Sequence, residues 1–140
     1  MKRRNFIKNA CIGCCALTLT GGILSLLNAC KSATVYKALP QGNFVQIPVA
    51  EMTDKTTLIV RSKTLDYDIL LVKNSNGNYS ALQMKCTHRD NPLSLGSNGL
   101  YCSLHGSRFD LEGDVVAEPA TLPLKKYKTQ LKEDYIQITL

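Results

Sequence analysis

Short apolar runs separated by polar turns make up most of the chain from residue 44 to its end. The runs are rich in β-branched and aromatic residues, as strands are, and they read FVQIPVA (44–50), TTLIVRS (56–62), YDILLVKN (67–74) and NYSALQMKC (78–86). Turn signals follow in NSNGN (74–78), GSNGL (96–100) and LEGD (111–114). Residues 125–140 predict a hairpin that turns at Glu133–Asp134. Since no helical period is sustained after residue 30, the pattern predicts an all-β fold, a small antiparallel sandwich or barrel.

Charge is distributed unevenly along the chain. The formal net charge is +6, but the first 29 residues contain four basic residues and no acidic one, whereas the remainder contains 13 basic and 11 acidic residues, a net of +2. No basic stripe alternates with aromatic residues, so nucleic acid is not expected as a partner. We interpret Lys125, Lys126 and Lys128 as the solvated face of a strand, with a docking patch for an acidic partner as the alternative.

The first 29 residues have the layout of an export signal, with a charged cap followed by an uncharged stretch. The segment KRRNFIK (2–8), with Arg3 and Arg4, resembles a twin-arginine signal, whose pathway moves folded proteins. An ordinary signal of the general secretory pathway is the alternative. The segment LNAC (27–30) resembles a bacterial lipobox. That resemblance implies that Cys30 becomes the lipidated first residue of the mature chain.

Two outcomes for this N-terminal segment remain open. If it is cleaved, residues 1–29 are the signal, residues 30–43 form a polar tether and residues 44–140 form the domain. If it is an uncleaved anchor, its roughly 22 uncharged residues would reach about 33 Å as a helix, which is enough to span a bilayer. In both cases the domain is exported and membrane-anchored, facing the periplasm or the outer side of the cytoplasmic membrane.

The cysteines and histidines fall into distinct groups. Cys11, Cys14 and Cys15 lie in the apolar signal, and we interpret them as small apolar residues. If Cys30 carries lipid, two cysteines remain, and each stands beside one of the chain's two histidines. A disulfide between the two remaining cysteines would suit an exported domain, but it would leave both histidines unexplained. Two thiols and two imidazoles can instead hold a metal, in loops that follow strands.

The two Cys–His pairs read CTH (86–88) and CSLH (102–105), with 13 residues between them. A tetrahedral zinc site is one alternative, although zinc sites usually pair Cys with Cys and His with His. Mixed pairs are typical of a Rieske 2Fe–2S centre, where two His replace two Cys on one iron. The chain resembles the Rieske family over residues 44–140, most specifically in CTH and in CSLHGSRFDLEGDVVAEPATLPL (102–124).

The resemblance implies an all-β fold of Rieske type, with two cluster-binding loops at one end and a 2Fe–2S cofactor. In that family, the residues matching Cys86 and Cys102 bind the inner iron through sulfur. Those matching His88 and His105 bind the outer iron through nitrogen, at the tip of the domain. Imidazole neutralises less of the iron charge than thiolate does. The added electron therefore settles on the histidine-bound iron, and the reduction potential is higher than that of an all-cysteine cluster.

Departures from the family bear on the expected potential. Rieske proteins of quinol-oxidising complexes carry a disulfide between the two loops, and its positions are Asn91 and Leu104 here. Ser107 retains a hydroxyl that donates to a bridging sulfide in those proteins, whereas Phe109 replaces a Tyr that donates to a ligand sulfur. We therefore expect a potential in the lower or middle part of the range of about −150 to +300 mV. Pro119 is expected in a third loop that covers the cluster.

These features predict an exported, membrane-tethered one-electron carrier that passes electrons to or from a partner oxidoreductase. No nucleophile, general base or substrate pocket is visible beside the Cys–His pairs, so the chain is not expected to be an enzyme by itself. Alternatives are the Rieske subunit of a quinol-oxidising cytochrome b complex and the small subunit of an arsenite-oxidase-like enzyme. Soluble ferredoxins of ring-hydroxylating oxygenases also resemble it, but they need cytoplasmic NADH. A zinc-stabilised binding module is the alternative from another class.

Overall fold

The computed structural model describes residues 33–140, and this part of the chain is all-β, as the sequence pattern predicted. Its strands are β1 Val35–Lys37, β2 Phe44–Pro48, β3 Thr57–Arg61, β4 Ile69–Lys73, β5 Tyr79–Gln83, β6 Ser94–Gly96, β7 Gly99–Tyr101, β8 Arg108–Phe109, β9 Val115–Ala117, β10 Lys126–Leu131 and β11 Tyr135–Thr139, with a short 3-10 helix at Val49–Met52. The predicted export signal with Arg3 and Arg4 and the lipobox with Cys30 lie outside the described residues. Within residues 33–140, no helix is long and apolar enough to cross a membrane.

Seven strands form one curled sheet in the order β1-β3-β4-β5-β10-β11-β2. Every neighbouring pair is antiparallel except β1 and β3. The predicted terminal hairpin is the β10–β11 pair. Along β11, Ile136 and Ile138 lie opposite Ile47 and Val45 of β2, and all four side chains are fully buried. Because side chains alternate between the two faces of a strand, these residues all point into one core.

Strand β4, inside the seven-stranded sheet, contributes to two hydrophobic cores. Residues 69–72 are all buried. Ile69 and Leu71 belong to the core that contains the inward residues of β2 and β11, whereas Leu70 and Val72 belong to a second core that also contains the cysteines at 86 and 102. The candidate metal loops are therefore supported by buried apolar side chains of the main sheet.

A second, four-stranded antiparallel sheet, in the order β6-β7-β8-β9, carries the second Cys–His pair. The predicted turn at 96–100 joins β6 to β7. In β7, Gly99 has φ +144°, and a Cβ atom there would overlap the carbonyl oxygen of Phe109 in β8. Only glycine therefore allows β7 and β8 to pair this closely.

The structure differs from the sequence interpretation at two places before β3. Residues 30–43 were expected to form a tether, but Val35–Lys37 is strand β1, which pairs in parallel with β3, and Ala38 is buried and donates its N–H to the Arg61 carbonyl. This strand could not be predicted from the sequence, because the residues around VYK are polar. The strand forms because the free edge of β3 offers backbone groups for hydrogen bonding. The expected strand at 44–50 ends at Pro48, and the 3-10 helix Val49–Met52 follows. The Val49 N–H still donates to the Asp134 carbonyl at 2.9 Å.

Candidate metal centre

The first Cys–His pair lies in a tight loop that follows β5. The Cys86 N–H donates to the Asn91 carbonyl at 2.8 Å, which closes the loop over residues 86–91. Just outside it, Lys85 and Pro92 form an isolated bridge, and the Leu93 N–H donates to the Met84 carbonyl at 3.0 Å. The loop is thus held at both its ends by backbone hydrogen bonds.

The second pair lies in the hairpin between β7 and β8. The Cys102 N–H donates to the Ser107 carbonyl at 2.9 Å, and the Gly106 N–H donates back to the Cys102 carbonyl at 3.0 Å. Gly106 has φ +86°, a conformation that other residues rarely adopt, so glycine suits this tight turn. Both Cys–His pairs therefore lie in loops after strands, as the sequence predicted.

The two cysteines are buried free thiols. Cys86 is 1% exposed and Cys102 is 2% exposed, and both pack in the second core with residues such as Leu93 and Phe109. The structure therefore contains no disulfide between Cys86 and Cys102. Burial alone would raise the pKa of the Cys102 thiol. However, hydrogen bonds from the backbone at residues 104 and 105, with contributions from Cys86 and the Asn91 side chain, lower that pKa overall.

The two histidines are exposed and lie side by side. The ring centroids of His88 and His105 are 5.0 Å apart, and the ring planes meet at 75°. The site therefore has two sulfur donors inside the protein and two nitrogen donors at its surface. A single zinc ion would need all four donors around one point, and within residues 33–140 no group of three or more His, Cys, Asp or Glu side chains is placed to hold one metal ion. Paired thiols and paired imidazoles instead match a two-iron group with a different donor pair on each iron.

A third loop, residues 118–122, is tied to both Cys–His loops. The Ala120 N–H donates to Ser107 Oγ at 3.0 Å, and Thr87 Oγ1 donates to the Leu122 carbonyl at 2.6 Å. Pro119, which was expected in a covering loop, is half-buried within this segment. These two bonds link the third loop to Thr87, which precedes His88, and to Ser107, which is two residues after His105.

The neighbouring side chains differ in what they can donate. Ser107 is fully buried and accepts from the Ala120 N–H, so its own hydroxyl proton is available to donate elsewhere. Phe109 is 1% exposed and has no donor, as its residue type implies. The sequence identified Asn91 only as a position without a disulfide cysteine, yet its Nδ2 lies 3.6 Å from Cys102 Sγ. Only the fold brings these two residues together, since they are 11 positions apart in separate loops.

The chain is similar in sequence to known proteins of one domain family. The family model of the Rieske 2Fe-2S domain matches residues 42–128. The chain is 32% identical over 74 residues to a cytochrome b6-f complex iron-sulfur subunit of Chlorobaculum thiosulfatiphilum, covering 51% of this chain and 41% of that one. It is 30% identical over 104 residues to the oxygenase subunit of a tert-butanol monooxygenase / tert-amyl alcohol desaturase of Aquincola tertiaricarbonis, covering 70% and 21%. The chain thus spans well under half the length of these two relatives.

A solved structure shares both fold and detectable sequence similarity. The plasma membrane Rieske protein PetC3 of Synechocystis PCC 6803 superposes with a TM-score of 0.56 at 27% identity, covering 66% of this chain and 95% of that one. The all-β fold predicted from the sequence is confirmed by this similarity.

Proposed function

Because the chain belongs to the Rieske 2Fe–2S family and is an electron carrier of that type, we propose that it is a membrane-tethered carrier that exchanges single electrons with a partner oxidoreductase. The observation that carries this proposal is the pairing of two buried thiols with two exposed imidazoles in adjacent loops. Buried donors protect a redox group from water, and exposed donors leave one side of it within reach of a partner protein.

In this proposal Cys86 and Cys102 would hold one iron of the cluster, and His88 and His105 would hold the other. The cluster supplies the one-electron redox chemistry when it is bound. The protein supplies the rest. Its backbone amides stabilise the thiolate form of Cys102, its apolar core excludes water from both sulfurs, and the ties between the third loop and the Cys–His loops limit their movement.

Spectroscopy of the purified full-length chain tests this function. We expect visible absorption, an EPR signal of Rieske type after reduction, and a reversible one-electron titration. A colourless protein that contains zinc would replace the proposal by the zinc-stabilised binding module. Metal analysis for iron and zinc on the same sample distinguishes the two outcomes directly.

A second candidate is the Rieske subunit of a quinol-oxidising cytochrome b complex. It is favoured by the similarity to a cytochrome b6-f iron-sulfur subunit. Against it stand Asn91 and Leu104 in place of the loop disulfide and Phe109 in place of the donor Tyr. Co-purification of a cytochrome b after mild detergent extraction would favour this candidate. Co-purification of a molybdenum enzyme would favour an arsenite-oxidase-like partner.

We propose that the chain is exported and anchored through its N-terminal segment, either by lipid on Cys30 or by an uncleaved anchor. The twin-arginine-like and lipobox-like segments of the sequence support this proposal. Replacing Arg3 and Arg4 with Lys should stop export of cluster-loaded protein, and Cys30→Ala should prevent signal cleavage. Mass spectrometry of the membrane fraction would show a lipidated Cys30 as the new N-terminus. An intact chain with an unmodified Cys30 would favour the uncleaved anchor.

A further inference from the structure

Asn91 contacts both cysteine loops at once. Its backbone carbonyl accepts the Cys86 N–H at 2.8 Å. Its side chain reaches across to the other loop, where Nδ2 lies 3.6 Å from Cys102 Sγ and 3.0 Å from the Pro92 carbonyl oxygen. A single residue thus holds the first cysteine through its backbone and the second through its side chain.

The orientation of the Asn91 amide follows from its two partners. A carbonyl oxygen and a cysteine sulfur both accept hydrogen bonds, and the NH₂ group has two protons to donate. Turning the amide over would place its oxygen against two acceptors. One proton of Nδ2 therefore points to Pro92 O and the other to Cys102 Sγ.

This hydrogen bond has an electrostatic consequence for the sulfur. A donor stabilises negative charge on a ligand sulfur, and reduction of a cluster increases that charge. The bond is therefore stronger in the reduced state than in the oxidised state and favours reduction. Phe109 is buried in the same core as Cys102 but has no hydrogen-bond donor. Asn91 therefore supplies to the Cys102 sulfur a side-chain hydrogen bond that Phe109 cannot supply.

We propose that Asn91 is a positioning residue that raises the reduction potential by donating a hydrogen bond to the sulfur of Cys102. The proposal rests on the function above, in which Cys102 is a cluster ligand. The proposal predicts a change in the potential without a change of ligands. Loss of the donor lowers the potential, whereas the EPR signal keeps its Rieske character because all four ligands remain.

The test compares Asn91→Leu, which has a similar size and no donor, with Asn91→Asp, which keeps the shape but only accepts hydrogen bonds. Asn76→Leu is the matched control, since it makes the same change in the β4–β5 turn, at the end of β5 away from Cys86. Protein-film voltammetry and EPR are recorded on the full-length chain. We expect Asn91→Leu to lower the equilibrium constant for one-electron reduction threefold to tenfold, tenfold being 59 mV.

Asn91→Asp should lower that constant at least as far, because its carboxylate adds negative charge beside the sulfur, and Asn76→Leu should leave it unchanged. If Asn91→Leu does not retain a cluster, the smaller Asn91→Ala decides the question, because it also lacks a donor and adds no charge. A potential that is unchanged or raised, with an intact Rieske signal, overturns the proposal even if the variant is less stable. Absence of a Rieske signal from the wild-type protein would instead overturn the proposed function.

Discussion

Replacing Ser107 with Ala removes one oxygen atom from a fully buried position between the second Cys–His loop and the third loop. In the structure, Ser107 Oγ accepts the Ala120 N–H at 3.0 Å, and Ala120 is only 1% exposed. The variant leaves that N–H buried without its acceptor, which costs about 1–3 kcal/mol. For a domain of this size, each kcal/mol corresponds to a fall in Tm of roughly 4–8 °C.

A second effect of Ser107→Ala concerns the cluster. The Ser107 hydroxyl proton is free to donate because the oxygen accepts from Ala120, and Rieske proteins of quinol complexes use this hydroxyl toward a bridging sulfide. A hydrogen bond to a charged group contributes about 1.5–3 kcal/mol, which sets an upper scale of roughly 130 mV for a one-electron couple. We therefore expect the variant to be less stable and to have a lower potential.

Thermal unfolding followed by far-UV circular dichroism measures the first effect, and protein-film voltammetry measures the second. Ser103→Ala is the matched control, since Ser103 is an exposed residue of the same loop. If Ser107→Ala and Ser103→Ala have the same Tm, the hydrogen bond from the Ala120 N–H to Ser107 does not stabilise the fold. If Ser107→Ala loses stability but keeps the wild-type potential, the hydroxyl supports the third loop and does not donate to the cluster.

Three further predictions address other parts of the site. Phe109→Tyr should raise the potential by some tens of millivolts and at most about 130 mV if the new hydroxyl reaches Cys102 Sγ. A downward shift in voltammetry would contradict this. Gly99→Ala should lower the free energy of unfolding by about 1–3 kcal/mol or more, because its Cβ overlaps the Phe109 carbonyl. Gly96→Ala is the control, since the atom nearest to its new Cβ is 3.5 Å away, and its Tm should be close to that of the wild type. His105→Ser should abolish the Rieske EPR signal of the reduced protein, and an unchanged spectrum would refute its role as a ligand.

The fold class and the location of the candidate site could be predicted from the amino-acid sequence. Strands and turns could be predicted because they depend on local properties, such as β-branched runs and glycines at tight turns. The two Cys–His pairs could be found because metal chemistry requires particular donor types, and the spacing CTH and CSLH is characteristic. Strand β1 within the expected tether could not be predicted, because its pairing with β3 depends on backbone groups far away in the sequence.

The environment of the candidate site depends on how the chain folds. It placed both thiols in the core and both imidazoles at the surface, and it tied the loops together through Ala120 and Thr87. The contact between Asn91 and Cys102 follows from the approach of two separate loops, and a single sequence carries no local pattern for it. The residue types of the ligands are a local property of the sequence, whereas the hydrogen bonds that tune them depend on distances that exist only after folding.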